Sequence, residues 1–227
     1  MQQLIIKIGY EKFDKVLGGG AKSGDLMLFY GEAATGKTAF LLYYTLLCTL
    51  LRHRVLFLTT EKPFAIERLV EMSGRRWKEI SRRITIIEIK DFKTQLEIIE
   101  RLEFFINPKI KLITIDTITE KYREFLSEGG NPLKASKCLN RQLAMLYGLA
   151  KLKQIIIIIS GQVRELIEEG KEEVIASKLL RNWSNKIIKL EKIKEKRIAH
   201  IEKTIYPKYV GSRILFKITS RGIEFEY

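Results

Sequence analysis

Residues 31–38 read Gly31-Glu32-Ala33-Ala34-Thr35-Gly36-Lys37-Thr38. They follow the apolar run Leu26-Met27-Leu28-Phe29-Tyr30 and open a long apolar segment from Ala39 to Leu51. That order predicts a buried strand, a glycine-rich turn and a helix. The pattern G-x-x-x-x-G-K-[ST] in such a setting is a phosphate-binding P-loop. Gly31 and Gly36 let the backbone turn tightly and approach a ligand. Successive N–H groups at the helix start then face a polyphosphate. Lys37 can reach the β- and γ-oxygens, and the Thr38 hydroxyl can ligate Mg²⁺. An ordinary glycine-rich turn would not explain why Lys and Thr follow the second glycine. The expected ligands are ATP and Mg²⁺.

A second nucleotide motif lies further along. Leu112-Ile113-Thr114-Ile115-Asp116 is an apolar run ending in an acid. A carboxylate at the carboxyl end of a core strand can hold a metal-bound water, which makes Asp116 the second candidate Mg²⁺ residue beside Thr38. A strand-ending aspartate with a capping duty only is the plainer alternative.

The chain has 227 residues, 46% of them hydrophobic, enough for one substantial core. One domain is expected over 1–227, with 1–24 as a lead-in and 184–227 as an antiparallel extension. Cys48 and Cys138 are the only cysteines and lack metal-ligand spacing. His53 and His200 are the only histidines, which argues against a histidine-built zinc site. No apolar run reaches membrane-spanning length, and the N-terminus has no secretory core, so no membrane partner and a cytoplasmic location are expected. The formal net charge of +14 suits either a polyanionic partner such as nucleic acid or a hot habitat rich in Lys, Glu and Ile.

Periodicity predicts the remaining elements. Strands are expected at Leu4–Ile8, Val55–Thr60, Ile84–Ile89, Leu112–Asp116 and Ile155–Ser160, the last ending at Gly161-Gln162. Helices are expected from Phe64 to Met72, from Phe92 to Phe105 with Asp91 as its N-cap, and from about Leu133 or Ala135 to Lys153. Ser127 to Pro132 reads as a loop. Residues 163–182 are charged and aperiodic at the start and read as partly mobile, with a short helix near Val174 to Leu180. Short strands close the chain at Lys186–Leu190, Arg197–Ile205, Ile214–Ile218 and Ile223–Tyr227. The fold class expected is α/β: a mostly parallel sheet with helices on both faces, extended by antiparallel strands.

Taken together, these motifs resemble the RecA-like recombinase superfamily, and most closely its archaeal RadA/RadB branch and the short paralogues within it. The likeness begins at Leu17-Gly18-Gly19-Gly20 and Gly24 and runs through the P-loop to Gly222-Ile223. It implies a RecA-like P-loop core. It also implies that Glu61, at the end of the second core strand, activates water for attack on the γ-phosphate, and that Arg68 stacks on adenine. Gly129, Gly130 and Asn131 would belong to the first DNA-binding loop, followed by a helix carrying Arg141-Gln142-Leu143. Gln162 would sense the γ-phosphate and lead into the second DNA-binding loop, whose region offers Arg164, Lys171, Lys178 and Arg181 as phosphate contacts. Those four cations could equally pair with Glu165, Glu168, Glu169, Glu172 and Glu173. Lys194, Lys196 and Arg197 are candidates for a cation acting on a neighbour's site.

The chain departs from the family pattern in three places. It starts at the ATPase core, with no helix-hairpin-helix DNA-binding domain and no clear Phe-x-x-Ala tether, so filament formation is not expected. Gly161 stands where relatives carry Asn, which weakens the expected coupling between ATP and DNA. The second loop is acidic as well as basic. The resemblance therefore implies a weakly ATP-hydrolysing paralogue that binds single-stranded DNA and modulates a RadA-type recombinase in DNA repair, its oligomeric state left open. The alternatives are a KaiC-like signalling ATPase or kinase with no DNA role, and a nucleotide-switched scaffold.

Overall fold

Continuous β-branched runs make strands that must be covered on both faces. The computed structural model, which describes residues 3–60, 64–166, 171–174 and 177–226, satisfies that demand with one long sheet between two helical layers. The first half of the chain runs β1 (Ile5–Ile6), α1 (Glu11–Val16), β2 (Ala21–Lys22), β3 (Leu26–Gly31), α2 (Lys37–Leu50), β4 (Arg54–Thr59), α3 (Ile66–Ser73), α4 (Trp77–Ile80) and β5 (Ile84–Glu88). Then come α5 (Phe92–Phe105), β6 (Ile110–Asp116), α6 (Glu120–Ser127), α7 (Pro132–Lys153), β7 (Ile156–Leu166), β8 (Lys171–Val174) and α8 (Ser177–Trp183). Four strands close the chain: β9 (Lys186–Ile193), β10 (Lys196–Lys203), β11 (Arg213–Thr219) and β12 (Gly222–Phe225).

The main sheet has the order β12-β11-β10-β9-β3-β7-β6-β4-β5. From β9 through β3 to β5 the pairings are parallel; from β9 to β12 they are antiparallel. This is the RecA-like α/β architecture expected. Side chains alternate across the sheet as a period of two requires. Met27, Phe29, Ile156 and Ile158 pack on the α2 side, while Leu28, Tyr30, Ile157 and Ile159 pack on the side of α5 and α7. On the α2 side Phe40 stacks on Phe29 with ring centroids 4.8 Å apart and on Phe13 at 5.7 Å, and meets Phe216 edge-on at 5.0 Å. One aromatic cluster thus joins the lead-in, the P-loop helix and the closing strands.

The local signals behave as read at α5, where the Asp91 carboxylate accepts from the Thr94 N–H at 2.7 Å. Two regions differ from expectation. After β6 the chain forms α6, which confines the connection to Glu128–Asn131. Tyr122, Phe125 and Leu126 of that helix recur at helical spacing, Tyr122 buried and the other two partly buried. Its anchors are tertiary: the Tyr122 and Phe125 rings lie 5.7 and 5.6 Å from Phe92. Further on, β7 continues past Gln162 to Leu166 and pairs with β8, so Val174 ends a strand and the helix begins only at Ser177. Backbone pairing across a short hairpin, which the charged sequence does not advertise, decides this region.

A buried ion pair fastens the lead-in to the closing strands. Lys186 is fully buried; its Nζ donates to the Gly20 carbonyl at 2.7 Å and to Asp25 Oδ2 at 2.5 Å. Asp25 also accepts from the Lys22 N–H and from Asn185 Nδ2, both at 2.7 Å. Burial pulls the ammonium below its ordinary pKa, and the Asp25 charge opposes that pull. Replacing Lys186 by Met would leave a buried carboxylate without its counter-charge. Urea unfolding of Lys186→Met is expected to show a loss of about 3–5 kcal/mol, and a loss below about 1 kcal/mol would show the pair to be dispensable.

Candidate nucleotide site

The P-loop follows β3 directly, in a conformation only small residues accept. Gly31 has φ +155°, and a Cβ there would lie 2.1 Å from the Leu190 carbonyl oxygen of β9. Gly36 has φ +111° and caps α2 with no side-chain bond, while Ala34 sits at φ +60°. The first turn of α2 carries no acid. The N–H groups at its start and its positive dipole end therefore favour an anion. Within the loop, Thr35 Oγ1 donates to the Glu32 carbonyl at 2.9 Å. Lys37 is buried, and its Nζ donates to the carbonyls of Gly31 at 3.0 Å and Glu32 at 2.6 Å, which holds the ammonium over the loop.

Asp116 closes β6 and is almost fully buried. It accepts from the hydroxyls of Ser160 and Thr38. Burial raises its pKa; the hydrogen bonds from Ser160 and Thr38 and the charge of Lys37 lower it, and the charge of Glu120 raises it further. The two metal candidates named from sequence, Thr38 and Asp116, thus meet side chain to side chain. Among the described residues no group of three or more His, Cys, Asp or Glu gathers into a cage. One carboxylate and one hydroxyl beside a phosphate cradle is the donor set that suits Mg²⁺, which keeps waters and takes substrate phosphates as ligands.

Gln162 lies opposite Gly31 in the parallel pairing of β7 with β3. Its N–H donates to Thr119 Oγ1 at 3.2 Å, and its side-chain oxygen accepts from Arg123 of α6. Arg123 and Glu120 are the two site residues that sequence reasoning missed. Glu120 accepts from the Thr60 hydroxyl, and its N–H is capped by Thr117 Oγ1 at 3.1 Å. Its position four residues beyond Asp116 was the one available signal.

The other candidates are placed as follows. Glu61 lies outside the described residues. Arg68 is on α3, where it bonds Glu71 and the Thr219 carbonyl at the end of β11. A Cβ at Gly36 would touch Ile218 of that strand at 2.9 Å, so Arg68 borders the P-loop's β11 side. Gly129 and Gly130 form a tight turn between α6 and α7. Asn131 is the N-cap of α7, its side chain accepting from the Lys134 N–H at 3.0 Å. The side chains of Arg164 and Lys171 lie outside the described ones, although their backbones face Glu173 and Leu166 in the β7–β8 hairpin. Lys178 is exposed on α8. Arg181 pairs with Glu202 at 2.9 Å and donates to the Tyr30 hydroxyl at 3.0 Å; burial and the Glu202 carboxylate push Tyr30 above its ordinary range, and Arg181 opposes them. Lys194 turns the β9–β10 hairpin, and Lys196 and Arg197 begin β10.

The family model described as Rad51 matches residues 1–225. The chain belongs to the Rad51 family. Among its relatives, a DNA repair and recombination protein RadB from Methanocaldococcus jannaschii is 31% identical over 211 residues, 92% of this chain and 97% of that one. The RadB of Pyrococcus furiosus is 30% identical, with 97% and 95% covered. A solved structure described as the RadB recombinase superposes with a TM-score of 0.82 at 30% identity, over 98% of this chain and all of that one. The resemblance to the RadA/RadB branch is thereby shown, together with its RecA-like fold.

For this Rad51-family chain the buried Asp116 has a linkage consequence. A carboxylate whose folded pKa is raised favours folding while protonated, and that contribution is lost as pH rises through the folded value. Asp116→Asn is therefore expected to raise unfolding free energy by about 1 kcal/mol at neutral pH without added nucleotide. The gain should vanish as pH falls through the carboxylate range. Denaturant melts across pH check it.

Proposed function

We propose that this chain is an ATP-binding, weakly ATP-hydrolysing member of its family that binds single-stranded DNA and modulates a RadA-type recombinase. We also propose that residues 1–227 act as one domain. The observation that carries the reading is the convergence of Lys37 and Thr38, at the start of α2, with the buried Asp116. The relatives' names, with DNA repair and recombination in them, support the wider role. Among the described residues no helix is long and apolar enough to cross a membrane.

In this mechanism the P-loop N–H groups bind the phosphates, and Lys37 turns from the loop carbonyls to the phosphate oxygens. It stabilises the charge that grows in the transition state. Mg²⁺, when bound, neutralises charge on the β- and γ-phosphates. Thr38 and Asp116 would hold it, Asp116 through water. Glu61 orients or deprotonates the attacking water. Gln162, paired beside Gly31, reports the γ-phosphate along β7, and Arg68 contacts the base.

Two variants test the reading. Lys37→Ala should lower ATP affinity about 10–100-fold, the loss of a charge-assisted contact, as read by calorimetry. Glu61→Gln should keep affinity and lower turnover about 10²–10⁴-fold. Single-stranded DNA should stimulate the wild type and neither variant. ATP binding with turnover equal in all three proteins would refute the catalytic roles and favour a nucleotide-switched scaffold.

A further inference from the structure

The P-loop, Asp116 and Gln162 share one edge of the parallel sheet, where its strands end. The opposite edge, where they begin, lies about 20 Å away, six residues of β3 at about 3.3 Å each. Cations collect there. Arg52 and Arg54 sit where α2 passes into β4. Lys109 and Lys111 sit where α5 passes into β6, and Lys151 and Lys153 are in the last turn of α7 before β7. The pairings bring them together. The Arg54 N–H donates to the Lys109 carbonyl at 2.8 Å, Val55 pairs with Leu112, and Leu112 pairs with Ile156. The Gly24 N–H meets the Ile155 carbonyl at 2.9 Å, and a Cβ on Gly24 would lie 3.7 Å from Lys151 Nζ. Strands β3, β7, β6 and β4 are neighbours at about 4.8 Å, so the row spans about 15 Å.

Acid is missing from the segments that carry this row. The sequence has no Asp or Glu in residues 33–60, 104–115 or 129–164. Asp25 is engaged by the buried Lys186. Glu103 lies nearby only in the groove between α5 and α7 that Lys153 also lines. Among the described residues none of the six cations forms an ion pair. Lys151 lies over the Tyr147 ring at 5.4 Å. The helix dipole accounts for Lys151 and Lys153 at the end of α7, but not for Arg54, Lys109 and Lys111. Nor is this the mixed-sign ion-pair network that heat adaptation favours. Beside the row opens a cleft of about 570 Å³ whose lining includes His53, Lys111, Gln154, Ser23 and Gln3. Leu4 and Ile5 are its apolar residues, too few to anchor an amphipathic acidic peptide.

We propose that the strand-start edge is a second polyanion site, which takes the phosphate backbone of a nucleic acid independently of ATP. The row holds the backbone by charge alone, and the cleft admits one phosphate between His53 and Lys111. The inference shares with the proposed function only its choice of nucleic acid as partner. The occupied P-loop is not needed.

The test measures binding of a fluorescent oligothymidylate without nucleotide over a salt series. The exposed pair Arg54→Glu with Lys109→Glu is compared with wild type and with Lys90→Glu/Lys93→Glu, an equal charge change at the opposite edge, where β5 passes into α5. The first pair should weaken binding about tenfold or more and lower the log–log salt slope by about 1.4, two contacts at about 0.7 each. The second pair should change neither much. Circular dichroism melts verify folding, and Arg54→Gln with Lys109→Gln gives a milder version. As an independent reading, the oligonucleotide should raise the pKa of the His53 imidazole, now held low by burial and by Lys111, in a proton NMR titration. Equal losses in both charge-reversal pairs, or an unchanged first pair, would overturn the proposal. So would an unmoved His53, or competition by polyglutamate as effective as by nucleic acid at equal charge. A separate arm with ATP reads the loop side, so ATP-dependent DNA binding can fail while this edge still binds.

Discussion

Strand β3 lies between two parallel neighbours, β7 and β9, and its side chains are buried on both faces. A strand in that position can end only where its neighbours end, because parallel crossovers return every chain segment to the same starting edge. The loop after β3, the carboxylate after β6 and the glutamine in β7 are therefore delivered to one edge. The crevice at the carboxyl ends of such strands is where open α/β sheets bind ligands. The aromatic cluster around Phe40 extends the same constraint. Phe216 of the closing strands and Phe13 of the lead-in pack on the helix that the P-loop starts, so the segments at both ends of the chain brace the site.

Charge is arranged along the strand direction. At the edge where strands end, Asp116 is kept in a buried place that favours its neutral form, with Glu120 adding to the pressure and Lys37 relieving it. Such a carboxylate is costly unless a cation arrives, which is a reason to read the site as built for Mg²⁺. At the other edge six of the 41 basic residues form a row with no acid among its segments. Like charges held together on rigid strand ends repel one another in the free protein.

Much of the framework was legible in the sequence because its causes are local. Asp91 caps α5, the isoleucine run of β7 alternates between two buried faces, and Gly36-Lys37-Thr38 opens α2 as the pattern required. Local signals failed where stability comes from distant partners. Helix α6 is short, with three apolar residues among eight, and it is fixed by packing on Phe92 of α5, so Arg123 and Glu120 on it were overlooked. The β7–β8 hairpin is rich in charge and held by backbone pairing. Arg181, for which the sequence leaves phosphate contact and ion pair equally open, bonds Glu202 and Tyr30, partners far along the chain.

The order of residues alone determined the chemistry at the P-loop, the strand ending in Asp116, the periods of the main strands and helices, and the sign of the net charge. Each depends on neighbours within a turn or two of chain. Tertiary structure alone decided that Thr38 touches Asp116, that Gln162 stands beside Gly31 under Arg123, and that cations from three separate connections line one edge. These are matters of register between strands far apart in the chain, and register is set by packing both faces of the whole sheet at once.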